Sequence, residues 1–325
     1  MTVICLGEIL IDRLVALTGD HEDLPGGAPA NVAVALARLG LATAFIGAVG
    51  EDEPGQQLTH LLSQAGVNCD GLQRRPAPTR IVEVQCSPQG DRTFGGFIGG
   101  ETTEFADAHL IAADLPASLL TAAPAVVAGT LGLAYPTTRK AMLQAAARVK
   151  AQGGKLVIDV NWRPTFWPDS SVESSGVLDQ MRLWLAPADV IKMSLDEAIA
   201  LFDTDQIQVL TAQFPQAQIL LTDGDQGCQY GVPNIGYGHV PAFVVTAVET
   251  TGAGDAFLAG MVYQWTQCRW QFADRQDLEQ AITFAQAMGA LTTLKPGAIA
   301  AQPHPHELLD FLRAQTGRAW TLGTV

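Results

Sequence analysis

The segment Glu249-Thr250-Thr251-Gly252-Ala253-Gly254-Asp255 runs straight into a helical pattern, with Phe257, Met261 and Trp265 at i, i+4 and i+8. A strand is expected just before it, over residues 242–247. Two glycines and an alanine keep side chains away from the helix N-terminus. Backbone N–H groups and the positive end of the helix dipole can then face an anion. Asp255 stands just inside that site. A carboxylate beside a phosphate is repelled unless it has chemistry to perform. The natural chemistry is to take a proton from a hydroxyl that attacks the phosphorus. No G-x-x-x-x-G-K-[ST] sequence occurs in the chain, so such a site is not a Walker loop. The same residues also suit a plain helix start, with Thr250 or Thr251 as N-cap and Asp255 in the favourable first turn.

A second glycine turn, Leu24-Pro25-Gly26-Gly27-Ala28-Pro29-Ala30-Asn31, precedes Val32, Leu36 and Leu39 at helical spacing. Gly26 and Gly27 let backbone approach a ligand closely. The Asn31 amide can both donate to and accept from a hydroxyl. Alone, such a run is also ordinary loop chemistry.

The elements that would position these turns are legible downstream. Val126-Val127-Ala128, Leu156-Val157-Ile158-Asp159-Val160, Val190-Ile191-Lys192-Met193 and Ile219-Leu220-Leu221-Thr222 read as buried strands. Helical stretches are expected around 137–152, 176–185, 195–202 and 206–213. That alternation is the pattern of a doubly wound parallel sheet with helices on both faces. Ligands in such sheets bind beyond the C-terminal strand ends. Asn161, Ser194, Asp223 and Thr251 each follow an expected strand, so they should share one rim. The first half differs. There Ile81-Val82-Glu83-Val84-Gln85 and Arg92-Thr93-Phe94 flank Ser87-Pro88-Gln89-Gly90-Asp91, a hairpin-like turn.

Together the two glycine turns resemble the paired signatures of the ribokinase, or PfkB, family of sugar and nucleoside kinases. Gly7-Glu8 with Asp12 resembles that family's opening strand and its sugar-holding Asp. Asp159-Val160-Asn161-Trp162-Arg163, followed by Trp167-Pro168, is similar to the D-x-N-x-R…W-P stretch of its fructokinases and 2-keto-3-deoxygluconate kinases. Ile191-Lys192-Met193-Ser194-Leu195-Asp196-Glu197 resembles the family's N-x-x-E segment, with Ser194 where Asn is usual. Leu221-Thr222-Asp223-Gly224-Asp225-Gln226-Gly227 resembles its nucleotide-facing strand and turn.

The resemblance implies one ribokinase-like domain over residues 1–325. Its fold would be a three-layer α/β/α arrangement, doubly wound around a mostly parallel sheet. A small β-sheet lid, built from about residues 10–24 and 80–100, would close over the sugar. Asp255 would be the general base, with Gly252, Ala253 and Gly254 as the anion hole. Asp12, Gly26, Gly27, Asn31, Asn161 and Arg163 would meet the sugar; the competing use of Arg163 is an ion pair with Asp159 or Asp169. Lys192, Thr222, Gly224, Gly227, Thr251 and Gly297 would serve ATP, with Lys295-Pro296-Gly297-Ala298 closing the adenine side. Glu197, with Asp196 as its neighbouring competitor, would order Mg²⁺ through water, since Mg²⁺ takes few carboxylates and keeps several waters. Glu249 stands where the family often uses Asp beside a monovalent cation, which implies K⁺ there. Relatives dimerise through lid strands, and Phe94, Phe97 and Ile98 suit such a homodimer.

The Gly-Gly-Ala-Pro-Ala-Asn turn and the 159–168 stretch look most like fructokinases. They imply transfer of the γ-phosphate of Mg·ATP to a primary hydroxyl of a neutral sugar, fructose giving fructose 6-phosphate. A 2-keto-3-deoxygluconate kinase is the alternative. Similar kinases of that kind carry a Tyr-Arg pair in the lid, where Phe97-Ile98 stands here. A non-catalytic kinase-fold scaffold is opposed by the intact Gly252-Ala253-Gly254-Asp255. A Rossmann oxidoreductase is opposed by Gly7 being followed by Glu8-Ile9-Leu10 rather than by G-x-G-x-x-G.

Composition bounds the size of the core and the class of partner. Hydrophobic content of 48% allows a sizeable core, and the net charge is -14 over 325 residues. The 19 Lys and Arg residues form no basic run, which argues against nucleic acid or an anionic membrane as partner. ATP is therefore not drawn in by overall charge. Five scattered cysteines with no C-x-x-C imply reduced thiols and a cytoplasmic protein. No signal peptide is visible ahead of the apolar run at Val3. The uncharged run 115–138 is broken by Pro116, Pro124, Gly129 and Pro136, so it is expected to be core rather than a membrane span.

Overall fold

A computed structural model of the chain describes residues 2–15, 19–86, 92–167 and 175–323. The first half contains β1 (Val3–Leu6), β2 (Leu10–Val15), β3 (His21–Gly26), α1 (Ala28–Arg38), β4 (Thr43–Gly50), α2 (Glu53–Gln64), β5 (Asn68–Arg75), β6 (Ile81–Cys86) and β7 (Arg92–Phe97). There follow α3 (Ala117–Ala122), β8 (Ala125–Ala128), α4 (Pro136–Ala151), β9 (Lys155–Asp159), α5 (Ser175–Leu185), β10 (Val190–Ser194), α6 (Leu195–Phe202), α7 (Ile207–Gln213) and β11 (Gln218–Thr222). The chain continues through β12 (Cys228–Val232), β13 (Gly236–Val240), α8 (Ala253–Gln267), α9 (Arg275–Thr292) and α10 (Pro305–Thr316).

Among the described residues, nine strands form one sheet in the order β13-β12-β11-β10-β9-β8-β1-β4-β5. Pairings from β11 to β5 are parallel, and β12 and β13 add an antiparallel edge. Successive side chains of a strand point to opposite faces. Ile4 and Leu6 of β1 therefore enter one core and Val3 and Cys5 the other, as Leu156 and Ile158 of β9 divide from Val157. Helices α3 to α7 cover the first face; α1, α2, α8, α9 and α10 cover the second. Both faces are buried, which is why these strands read as continuous apolar runs. The structure is the three-layer, doubly wound, mostly parallel fold expected.

A second, four-stranded sheet, in the order β3-β2-β6-β7, contains the segments expected to form the lid. Gly7-Glu8-Ile9 links β1 to β2, and Gly27 links β3 to α1, so the lid roots beside both ends of one short loop pair. The turn expected at 87–91 and Pro168 lie outside the described residues.

One expected element is corrected. Residues 242–247 are not a strand. Strand β13 ends at Val240, and Pro241, which has no N–H to donate, breaks the ladder. Phe243 then packs edge-on against Phe311 of α10, with ring centroids 5.1 Å apart. Its apolar neighbours line a cavity instead of pairing with the sheet. Among the described residues, no helix is long and apolar enough to cross a membrane. Cys5, Cys69, Cys228 and Cys268 are free thiols.

Candidate active site

Helix α8 begins at Gly252, whose φ of 79° is left-handed, and no side chain caps it. The expected cap from Thr250 or Thr251 is thus absent. A positive φ strains any residue with a Cβ, and a Cβ at Gly252 would also lie 2.9 Å from Ala298 Cα. The Ala253 N–H bends back to Thr250 O at 3.2 Å. The next N–H groups, of Gly254 and Asp255, belong to the helix end that has no internal acceptor. Beside them lies a cation: a Cβ at Gly254 would stand 2.9 Å from Lys192 Nζ.

Lys192 comes from the middle of β10. Its Nζ donates to both oxygens of Asp159, on β9, at 3.0 Å each, and both residues are buried. Burial pushes the Asp159 carboxyl up. For Lys192 burial works downward, but Asp159, Glu197 and Asp255 outweigh it and hold the ammonium charged. An uncompensated apolar strand position would not tolerate Lys, so its partner was the signal for this pair. Lys192, expected among the ATP contacts, lines the same cavity as Asp255.

The Asp255 carboxylate accepts from Asn31 Nδ2 at 2.7 Å, joining residues 224 positions apart. Burial raises the Asp255 pKa, opposed by that hydrogen bond and by the charges of Lys192 and Arg163. Asn31 Oδ1 is buried without a hydrogen-bond partner among the described residues. Asn31 holds this position because the chain turns at Gly27, φ 107°, where a Cβ would lie 2.7 Å from Glu8 O. Gly26 lies against Asp12: a Cβ there would fall 2.5 Å from Asp12 Oδ2. Glu8 escaped the sequence reading as a site residue. It is buried in the same cavity, with Oε1 accepting from Ala28 N at 3.2 Å, and burial pushes its carboxyl up to about 7.

Two cavities meet at the glycine turn. One, of about 590 Å³, is lined by Asp12, Asn31, Asn161, Arg163, Lys192 and Asp255, with Phe94 and Phe166 supplying apolar wall. The other, of about 470 Å³, is lined by Gly224, Gly227, Phe243, Val245, Phe257 and Ala290. Thr222, Thr250 and Gly254 line both. The apolar wall of the smaller cavity was misread in the sequence because 242–247 looked like a strand. Gly227 is fixed by packing as much as by any ligand, since a Cβ there would lie 2.3 Å from Val240 O.

Other expected residues make bonds within the protein: Glu197 and Arg163 line the larger cavity but already hold neighbouring groups. Glu197 closes a capping box on α6: Oε2 accepts from Ser194 N at 2.8 Å and Ser194 Oγ accepts from Glu197 N at 3.2 Å. Its Oε1 accepts from Trp162 N at 2.7 Å, so both oxygens already hold backbone. Arg163 makes no pair with Asp159, which Lys192 occupies; its Nη1 donates to Trp162 O at 2.9 Å and lies 3.8 Å from Glu197 Oε1. Asp169 is outside the described residues. Gly297 does not line the smaller cavity. Its N–H donates to Glu249 Oε2 at 3.0 Å, and Ala298 backs Gly252, so this loop braces the turn from behind. Phe97 faces inward, 5.0 Å from the Phe166 ring, whereas Phe94 is 44% exposed. Phe94 is therefore the more exposed of the two rings.

The two adjoining cavities, with a helix N-terminus and a carboxylate between them, define a two-substrate transfer site. Residues 2–305 match the model of the pfkB family carbohydrate kinases. The chain belongs to that family, and is a phosphotransferase with an alcohol group as acceptor. It is 36% identical to fructokinase-2 of Zea mays, covering 93% of this chain and 91% of that one. It is 35% identical to fructokinase-1 of Oryza sativa subsp. japonica, covering 96% and 98%. Its fold superposes on an ATP-bound fructokinase from Xylella fastidiosa with a TM-score of 0.86, at 30% identity over 97% of this chain and 99% of that one.

Proposed function

We propose that the protein transfers the γ-phosphate of ATP to a primary hydroxyl of a neutral sugar, fructose, giving fructose 6-phosphate. The observation that carries this reading is Asp255, held by Asn31 at 2.7 Å where the two cavities meet. The sugar occupies the larger cavity beneath the lid. Asn31 Oδ1, a buried acceptor with no partner among the described residues, suits a sugar hydroxyl as donor. Asp12 and Asn161 add polar groups to the same lining. ATP lies in the smaller cavity, its base against the Phe243 and Val245 side and its phosphates toward Gly254.

Asp255 takes the proton as the sugar oxygen attacks the γ-phosphorus. Its raised pKa moves it toward the range where a base works best near neutral pH. The N–H groups at the start of α8 and the Lys192 ammonium face the charge that shifts onto the phosphoryl oxygens. Lid closure keeps water from competing as acceptor.

Among the described residues no three His, Cys, Asp or Glu side chains gather to hold a metal. Mg²⁺ arrives on the nucleotide, held chiefly by phosphates and water, with Glu197 on the cavity wall as the candidate carboxylate acting through water. Glu249, against Gly297, is the candidate neighbour for K⁺; a Vibrio cholerae fructokinase is known in a form that binds fructose, ADP and potassium ion.

The test is ADP release from Mg·ATP with fructose, 2-keto-3-deoxygluconate, ribose, glucose, mannose and adenosine. Fructose-dependent release is expected. Turnover with the keto-acid alone would give Arg163 to a substrate carboxylate and refute the neutral-sugar reading.

A further inference from the structure

Arg80, directly before lid strand β6, is 1% exposed. Its guanidinium lies over four aromatic rings, 4.6 Å from the Phe105 centroid, 5.0 Å from Phe97, 5.2 Å from Phe166 and 5.3 Å from Tyr135. Nε and Nη2 donate to the two oxygens of Asp107, each at 2.7 Å. Nη2 also lies 3.1 Å from the Tyr135 hydroxyl, and that hydroxyl donates to Phe166 O at 3.1 Å. Phe97 belongs to the lid; Asp107, Tyr135 and Phe166 belong to the main body. Phe166 lines the sugar cavity, and its loop carries Asn161 and Arg163.

A buried guanidinium is expensive to desolvate, so its partners are not interchangeable. A fork-shaped cation also fixes direction in a way an apolar residue cannot. Burial raises the Tyr135 phenol, which stays protonated and keeps its O–H on Phe166 O. The chain Asp107–Arg80–Tyr135–Phe166 thus ties the root of the lid to the loop that presents the sugar contacts. Ile11 N donates to Arg80 O at 3.1 Å, extending the tie to β2, which carries Asp12.

We propose that Arg80 and Tyr135 are positioning residues for the sugar: they lock the 160–167 loop against the lid root and so set sugar affinity without touching substrate. This rests on the larger cavity being the sugar site. Tyr135→Phe removes only the shared hydroxyl and leaves the ring packing intact. Arg80→Lys keeps the charge but loses the fork.

The experiment combines steady-state kinetics with hydrogen–deuterium exchange of the whole chain. For Tyr135→Phe the sugar KM is expected to rise about tenfold, while kcat and the ATP KM stay within about twofold. Exchange is expected to quicken in peptides covering 160–167 and β6, and nowhere else. Arg80→Lys should loosen the same peptides. An unchanged sugar KM together with unchanged exchange in 160–167 would overturn the proposal. So would a general loss of thermal stability at constant sugar KM, the outcome of a purely structural bond. If the wild type turns over none of the six acceptors, the fructose reading fails by itself, and the exchange pattern alone then decides whether the lock exists.

Discussion

At the scale of single residues, two carboxyl groups of one cavity, Asp255 half-buried and Glu8 buried, stand in different surroundings. Asp255 faces an amide donor and a nearby ammonium, which favour its ionised form, as the proposed base requires. Asp255→Asn keeps the shape and is expected to lower kcat by roughly 10²- to 10⁴-fold, with ATP binding by calorimetry unchanged. A variant with near-normal turnover would remove Asp255 from the mechanism. The acid limb of kcat/KM should also lie above that of an ordinary aspartate, since burial raises the group. Glu8 is deeper in apolar surroundings, near Asp107 and Asp255, and its carboxyl is raised from 4.5 to about 7. A raised carboxyl pKa means the folded state binds the proton more tightly than the unfolded state. The stability it contributes is fully present below 4.5 and is lost as pH rises through about 7. Glu8→Gln, which can still accept from Ala28 N, should abolish that loss. Relative to wild type it should gain up to about 3 kcal/mol between pH 5 and pH 8, read from urea midpoints. Parallel pH curves for the two proteins would show that Glu8 is already ionised in the fold.

At the scale of elements, the two glycines at the start of α8 are predicted to fail differently. Gly252 combines φ 79° with Ala298 Cα at 2.9 Å from a built Cβ, and backbone cannot give way. Gly252→Ala should therefore lower stability by about 1–3 kcal/mol. Gly254 has no such φ, and what its Cβ meets is Lys192 Nζ. Gly254→Ala should leave the melting temperature nearly unchanged but push the ammonium off its seat, with a loss of roughly 10²-fold in kcat. Equal stability losses in both variants would show that the turn serves geometry alone. The sequence exposed these elements unevenly, for physical reasons. The strands β8 to β11 were legible because both faces are buried, which leaves a run of apolar residues with clear ends. The two glycine turns were legible because left-handed or crowded backbone restricts the residue type. The segment 242–247 misled because Phe243, Val244 and Val245 suit a strand, while Pro241 and the pull of Phe311 decide otherwise. Glu197 shows the other limit. A capping box and a metal-ordering carboxylate present the same acid at the start of a helix, and only its three-dimensional hydrogen bonds tell which groups it already serves.

At the scale of the whole molecule, a site for a polyanion is built into a polyanionic protein. The net charge is -14, while the cations found at the site are Lys192, already paired with Asp159, and Arg163, half exposed beside Glu197. Mg·ATP must approach against a repulsive field and is captured only at short range, by helix N–H groups and the fixed ammonium. Long-range repulsion is screened by salt, whereas contacts inside a buried cavity are screened much less. At about 0.01 M ionic strength the Debye length is roughly 30 Å, comparable to the domain; at about 0.15 M it is roughly 8 Å. Raising salt across that range should therefore lower the KM for Mg·ATP by about two- to threefold, the reverse of ordinary phosphate binding. The KM for a neutral sugar should stay flat and serves as the internal control. Tetramethylammonium chloride is the salt to use, because a bulky cation does not mimic K⁺ near Glu249. A KM for Mg·ATP that rises with salt would mean that Lys192 and Arg163 outweigh the global field. In that case neutralising Arg163, as in Arg163→Gln, should flatten the salt dependence while leaving the sign of the net charge unchanged.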